Sequence, residues 1–155
     1  MIIPDKIISL LRNRYYLSIA TADKKCEPHA APKILYKIEG EYFYLADHAI
    51  ARTVDNLRVN PRASMAFMDV ENLEGYRMSG SAELIESGAA FDTLLKGFEK
   101  KLIQISADRV IEGMKTGKRH KHFELEISNR VIFLKIKIED IVRIGSQGDL
   151  FSEKP

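Results

Sequence analysis

Apolar and polar residues alternate along six or seven short segments of this chain, and this period of two constrains the fold more than any other feature. Successive side chains of a β-strand point to opposite faces, so such alternation is typical of a strand with one apolar face. The alternating segments cover residues 15–21, 29–38, 42–46, 63–68, 76–85, 123–127 and 132–138. Short polar turns such as Glu39-Gly40-Glu41 separate several of them, which favours antiparallel pairing between neighbours.

Apolar residues recur at helical spacing in the segments between these strands. Residues 4–13 predict a short amphipathic helix before the first strand, and residues 50–59 predict another between the third and fourth strands. Apolar residues over 91–102 also have helical spacing, and Ser106 is a candidate N-cap for a separate short helix over 106–117. The helices therefore flank a chain that is mainly β.

The 155 residues are enough for one domain with its own hydrophobic core. Six or seven antiparallel strands with a helix inserted after the third predict a small β-barrel, because closing the sheet leaves no exposed strand edge. We expect a single domain over residues 1–144 and a polar, mobile tail over 145–155.

Charge, cysteine content and hydropathy exclude several classes of function. Lys and Arg total 24 against 22 Asp and Glu, so the whole surface is too balanced to predict nucleic-acid binding, and the basic run at 115–121 is a weak signal. The single cysteine, Cys26, forms no intramolecular disulfide, and His120 and His122 lack further ligands nearby for a zinc site. With no long apolar run and no signal peptide at the start, we expect a cytoplasmic protein that does not enter membranes.

The segment 47–57 is the strongest candidate site, because it places polar residues where a strand ends and a helix begins. A helix N-terminus presents unpaired N–H groups that suit a phosphate, and Arg52 and Thr53 add a guanidinium and a hydroxyl there. Asn56 is expected on the same helix face. A solvated arginine and a capping threonine explain the pattern equally well, and no catalytic signature with a nucleophile or a metal occurs elsewhere.

Several segments, taken in order and spacing, resemble the FMN-binding split barrels related to pyridoxamine 5′-phosphate oxidase and to small bacterial FMN-binding proteins. The resemblance runs from the first helix through Ile85 and resumes over 131–144. It is carried by Tyr16-Leu17-Ser18-Ile19-Ala20-Thr21, Pro28-His29-Ala30-Ala31-Pro32-Lys33, Glu39-Gly40-Glu41 with Tyr42-Phe43-Tyr44-Leu45, Arg52-Thr53 with Asn56-Leu57 and Asn60-Pro61, and Arg77-Met78-Ser79-Gly80-Ser81-Ala82.

This resemblance implies an antiparallel split β-barrel that binds FMN. It implies that the FMN phosphate is held at the start of the inserted helix, that the second strand lies along the flavin, and that the end of the third strand contacts the ring or ribityl chain. On this sequence those positions are Arg52 and Thr53, then Pro32, Lys33 and Ile34, then Ala46 and Asp47. A proline within a strand also predicts a bulge or an edge at Pro32.

The resemblance further implies a homodimer with the flavin at its interface, to which the partner contributes the loop Asn72-Leu73-Glu74-Gly75. Oxidation of vitamin B6 is not implied, because Thr53 stands where those oxidases have lysine and their C-terminal substrate-binding segment is missing.

Two kinds of function fit this resemblance. The first is an oxidoreductase in which FMN takes electrons from a reduced nicotinamide or deazaflavin and passes them to a small substrate, with Lys33 favouring the anionic reduced flavin. The alternative is a non-catalytic flavin or haem carrier, for which the four histidines, His29, His48, His120 and His122, are candidate iron ligands.

Overall fold

The computed structural model describes residues 2–48, 51–117 and 130–153. Its helices are α1 (Asp5–Leu11), α2 (Arg52–Val59) and α3 (Ala89–Thr116). Its strands are β1 (Tyr16–Ala22), β2 (Pro28–Glu39), β3 (Tyr42–His48), β4 (Arg62–Asp69), β5 (Glu74–Ile85), β6 (Val131–Ile144) and β7 (Leu150–Glu153). None of the helices in these segments is long and apolar enough to cross a membrane.

The strands form one antiparallel sheet in the order β3-β2-β1-β4-β5-β6-β7. A further pairing of β3 with β6 closes the first six strands into a barrel and leaves β7 outside, on the end of β6. The predicted six- to seven-stranded antiparallel split barrel with flanking helices is confirmed.

The barrel interior is filled by the apolar residues of the alternating pattern. Leu17 and Ile19 of β1 point inward and are buried, whereas their neighbours Ser18 and Ala20 are exposed on the outer face. Because strand side chains alternate between faces, the hydrophobic pattern fixes which face of each strand lines the interior.

Helices α1 and α2 cover opposite ends of the barrel. Helix α1 lies at the end with the β4–β5 turn, where the Lys6 ammonium contacts the Glu74 carboxylate at 2.7 Å. Helix α2 lies at the β1–β2 end, where the Asn56 amide donates to the Thr21 hydroxyl at 3.1 Å. Val54 and Leu57 of α2 are buried in the barrel core, so this helix is also part of the hydrophobic core.

Helix α3 packs on the outside of the barrel. Its Phe98 ring meets Phe133 of β6 edge-on at 5.5 Å between centroids and Tyr36 of β2 at 5.6 Å. Ala46 and the partly buried Ile34 belong to the same apolar cluster. The second and third strands therefore carry a helix on part of their outer surface.

Three sequence expectations about elements need correction. Helix α3 is continuous from 89 to 116, so Ser106 lies inside it and does not cap a second helix. The segment after Ile144 is not a free tail, since β7 pairs with 141–144 of β6. Glu74 and Gly75 belong to β5 and not to the preceding loop. The expected strand at 123–127 lies outside the described residues, and the domain limits remain a prediction.

The expectation of a bulge or an edge at Pro32 is met by an edge. The β2–β3 ladder starts only at Ile34, and because the Leu35 N–H donates to Tyr15 of the β1 side, the nitrogen of Pro32 faces the other side. Pro32 therefore occupies an edge position, where its missing N–H breaks no ladder bond. The irregularity in β2 falls between Leu35 and Lys37 and not at the proline.

Candidate cofactor site

Among the residues that the structure describes, no side chain caps the N-terminus of α2. Ala51 occupies the N-cap position with extended backbone angles, φ −148° and ψ 141°, and Arg52 is the first helical residue. The N–H groups of a first helical turn have no partners within the helix, and their dipoles favour an anion. An anion placed here would meet those N–H groups together with the Arg52 guanidinium.

A carboxylate of the chain itself already contacts Arg52. An oxygen of Glu27 lies 2.8 Å from the Arg52 guanidinium, and both side chains are about half exposed. This hydrogen bond, with the neighbouring charge of Asp23, raises the pKa of Arg52 above its ordinary value. The Arg52 guanidinium is thus partly exposed to solvent and is paired with a carboxylate of its own chain.

Thr53 differs from the capping threonine that the sequence allowed. Its side chain is fully buried, it is the second residue of the helix, and its hydroxyl oxygen has no hydrogen-bond partner within the described segments. Buried hydroxyls are normally paired, so this oxygen is an unmet acceptor and donor beside the helix N-terminus. Asn56 is also buried, but its amide bonds to Thr21, so it anchors α2 to β1 and does not share the exposed face of Arg52.

Lys33 and Asp47 form a second charged pair. They stand next to the first rung of the β2–β3 ladder, which pairs Ile34 with Ala46, and the Lys33 ammonium lies 2.7 Å from the Asp47 carboxylate. Their side chains are only 10% and 4% exposed. The structure therefore brings together two of the positions expected along the flavin and pairs their charges.

Asn72 and Leu73 lie at the other end of the barrel. The Asn72 amide donates to Asp69 at 2.7 Å, and Leu73 has a φ of 53° and an exposed side chain. The length of β1 separates this turn from α2 by about 20 Å, given the rise of a strand. Within one chain, Asn72 and Leu73 do not meet Arg52.

Two features of this part of the molecule were not predicted from the sequence. They are the acidic residues beside Arg52 and a groove on the outer face of the barrel. The sequence pattern did not single out Glu27 or Asp23, because the turn that carries them is distant from Arg52 along the chain. The groove has a volume of about 370 Å³ on the outer face of the barrel. Its walls are Ala20, Thr21, Ala22, Asn60, Arg62, Ala63, Ser64 and Ser79. Small side chains two residues apart on adjacent strands are the pattern that gives such a groove.

Comparison with protein families decides where this barrel belongs. The family model for pyridoxamine 5′-phosphate oxidase matches residues 3–141. The chain belongs to the pyridoxamine 5′-phosphate oxidase family. This confirms the resemblance drawn from the sequence segments. No curated protein matched the sequence.

Solved structures that share this fold include proteins described as binding different cofactors. HupZ of Group A Streptococcus is 23% identical, with a TM-score of 0.64 over 96% of this chain and 98% of that one. A pyridoxamine 5′-phosphate oxidase-related, FMN binding protein of Nostoc punctiforme is 17% identical, with a TM-score of 0.61 over 97% and 96%. A heme binding protein from Mycobacterium smegmatis is 15% identical, with a TM-score of 0.66 over 99% of this chain but 60% of that one. At these identities the likeness establishes the fold.

Proposed function

We propose that this chain is an FMN-binding flavoprotein that transfers electrons from a reduced nicotinamide or deazaflavin to a small substrate. One observation carries the proposal: at the α2 N-terminus, Arg52 already holds a carboxylate, beside the buried Thr53 hydroxyl, which has no hydrogen-bond partner among the described residues. A terminal phosphate would supply a negative charge for the Arg52 guanidinium and oxygen acceptors for the N–H groups of the first turn of α2. Bound FMN would supply a ring that accepts and donates hydride, while the protein supplies binding and orientation.

The residues proposed along the flavin are those at the start of the β2–β3 ladder. Pro32 offers an exposed edge without an N–H, and the partly buried Ile34 lies beside it, whereas the Ala46 side chain is buried in the cluster with α3. Lys33 is the proposed group that favours an anionic reduced flavin, because a fixed positive charge stabilises charge that develops nearby. Removing it is expected to lower the midpoint potential of bound FMN.

A homodimer completes the proposed site. Asn72 and Leu73 lie about 20 Å from α2 in their own chain, by the rise of β1, so they reach a flavin at Arg52 only from a second copy. The outer face of β1 and β4 supports such pairing, since Ser18, Ala20 and Ala66 are small and exposed. Small side chains on a strand surface permit close approach of an identical surface around a two-fold axis.

The phosphate contact is tested by comparing two flavins in one variant. Arg52→Ala removes charge-assisted hydrogen bonds that contribute about 1.5–3 kcal/mol each, so the affinity for FMN should fall at least tenfold. Riboflavin lacks the phosphate and should lose little affinity. Titrations followed by flavin fluorescence give both dissociation constants, and equal losses for the two flavins would contradict the assignment.

A non-catalytic flavin or haem carrier is the second candidate, favoured by the likeness of the fold to the mycobacterial heme binding protein. The absorption spectrum of the purified protein separates the two cofactors, because flavin absorbs in the near ultraviolet and blue whereas haem gives a Soret band. Bleaching of the flavin bands by NADH or NADPH then distinguishes an oxidoreductase from a carrier. A Soret band without flavin bands would overturn the proposed function.

A further inference from the structure

Glu27 forms an ion pair with Arg52, the residue that the proposed function assigns to the cofactor phosphate. The Glu27 carboxylate contacts Arg52 at 2.8 Å, and no other carboxylate among the described residues forms an ion pair with Arg52. One guanidinium has a limited set of donors, and a carboxylate beside a phosphate repels it. A phosphate at Arg52 is therefore disfavoured while the Glu27 carboxylate stays in contact with the guanidinium.

The turn that carries Glu27 is held in place by its own hydrogen bonds. One carboxylate oxygen of Asp23 accepts from the N–H groups of Lys25 and Glu27, at 2.8 and 2.9 Å. The Asp23 N–H donates back to the Glu27 carbonyl, and Cys26 closes the turn with a φ of 62°. The backbone of Glu27 is thus fixed beside α2, whereas its side chain is exposed and rotates into water at little cost.

We propose that Glu27 is an internal competitor for the cofactor phosphate at Arg52. This inference rests on the proposed function and adds its regulation: the chain holds its flavin exchangeably, because each binding event displaces Glu27 and each release restores the Glu27–Arg52 pair. An exposed ion pair contributes about 0.2–1 kcal/mol, so the competition changes affinity without abolishing binding.

The test compares the binding of FMN and riboflavin in wild type, Glu27→Gln and a matched control. Glu27→Gln keeps the shape and the backbone bonds of the turn and removes the competing charge, so the FMN dissociation constant should fall about two- to fivefold. Riboflavin should bind both proteins equally. Glu39→Gln is the control, because Glu39 is equally exposed and pairs with Lys37 at the same 2.8 Å, away from α2.

A double-mutant cycle shows whether the effect passes through Arg52. In an Arg52→Ala background, Glu27→Gln should leave the FMN dissociation constant unchanged. An equal gain with and without Arg52, or no gain in the wild-type background, would overturn the competition while the proposed function stands. Flavin binding to neither wild type nor Glu27→Gln would overturn the proposed function, and the competition with it.

Discussion

At the scale of single residues, the buried Lys33–Asp47 pair changes what a substitution does. Moving two charges out of water is costly, and their mutual attraction offsets that cost only while both are present. With side chains 10% and 4% exposed, neither charge can be solvated well when the other is removed. A substitution at Lys33 is therefore expected to affect the stability of the fold as well as the flavin.

Lys33→Met should lower the free energy of unfolding by about 3–5 kcal/mol, because it leaves the Asp47 carboxylate buried without that cation. Lys33→Met combined with Asp47→Asn should recover most of the loss, since both charges are then gone. Chemical denaturation at neutral pH measures all three proteins. A single variant as stable as wild type would show that water reaches Asp47.

Glu74 joins three elements through one carboxylate. It accepts hydrogen bonds from Lys6 of α1 at 2.7 Å, from the Tyr76 hydroxyl at 2.9 Å and from Arg143 of β6 at 2.8 Å. These donors, Lys6 first, lower the pKa of Glu74 from its ordinary 4.5 to about 2. Arg143 also stacks on the Phe151 ring at 4.2 Å, which links β7 to the same cluster.

Because the folded pKa of Glu74 lies below its unfolded value, its contribution to stability is complete above about pH 4.5 and is lost as the pH falls towards 2. Glu74→Gln should therefore be less stable than wild type at neutral pH and should lose less stability between those two pH values. Denaturation curves across this pH range test the prediction, with Glu71→Gln in the exposed turn before β5 as control. Parallel pH profiles for wild type and Glu74→Gln would disprove the assignment.

At the scale of elements, α3 is positioned on the barrel by a glycine. A Cβ added at Gly97 would overlap the Tyr36 hydroxyl oxygen. The Tyr36 ring has little room to retreat, because Phe98 and Phe133 pack against it. The absence of a side chain at Gly97 therefore lets the tyrosine fit against the helix.

Gly97→Ala should destabilise the protein, although alanine is favoured over glycine by up to about 1 kcal/mol inside a helix. In a Tyr36→Phe background the clash with the hydroxyl is gone, and the same substitution should cost less or stabilise. Unfolding free energies of the four proteins in this cycle give the coupling between the two positions. A coupling energy within experimental error of zero would mean that the Tyr36 hydroxyl does not pack against Gly97 of α3.

The sequence pattern was sufficient for the barrel strands and insufficient where a contact depends on distant residues. Alternation located the inward residues Leu17 and Ile19 because burial on one face imposes a period of two. It missed β7, which forms only because β3 pairs with the first half of β6 and leaves the second half for another strand. It also placed a helix start at Ser106, where a polar residue simply occurs within a long helix.

For the candidate site, the positions of the residues along the chain were predictable, whereas their burial and contacts were not. Arg52 and Thr53 were located correctly at the start of a helix, since the change of period marks that boundary. Neither the burial of Thr53 nor the contact of Glu27 with Arg52 followed, because both depend on how α2 lies across the barrel end and on the β1–β2 turn. Pairing across a barrel is not encoded in local spacing.

At the scale of the whole molecule, the exposed face of small residues predicts a dimer of twice the chain mass by light scattering. Ala66→Glu should convert it to monomers and weaken FMN binding, because a charge is buried in the interface. Residue 66 is exposed on the outer face of β4 in the single chain, so the barrel itself should stay folded. Thr93→Glu on α3 serves as control, and a monomeric wild type that binds FMN tightly would contradict the two-chain site.

Helix α2 both closes the barrel with Val54 and Leu57 and carries the proposed phosphate contacts on its first turn. Any compound that binds there tightens an element whose loss exposes the core, so binding and melting are thermodynamically linked. A ligand at 100 times its dissociation constant adds about 2.7 kcal/mol to the unfolding free energy. Melting temperature can then rank flavins, deazaflavins and haem in a single plate, without knowledge of the substrate or a turnover assay.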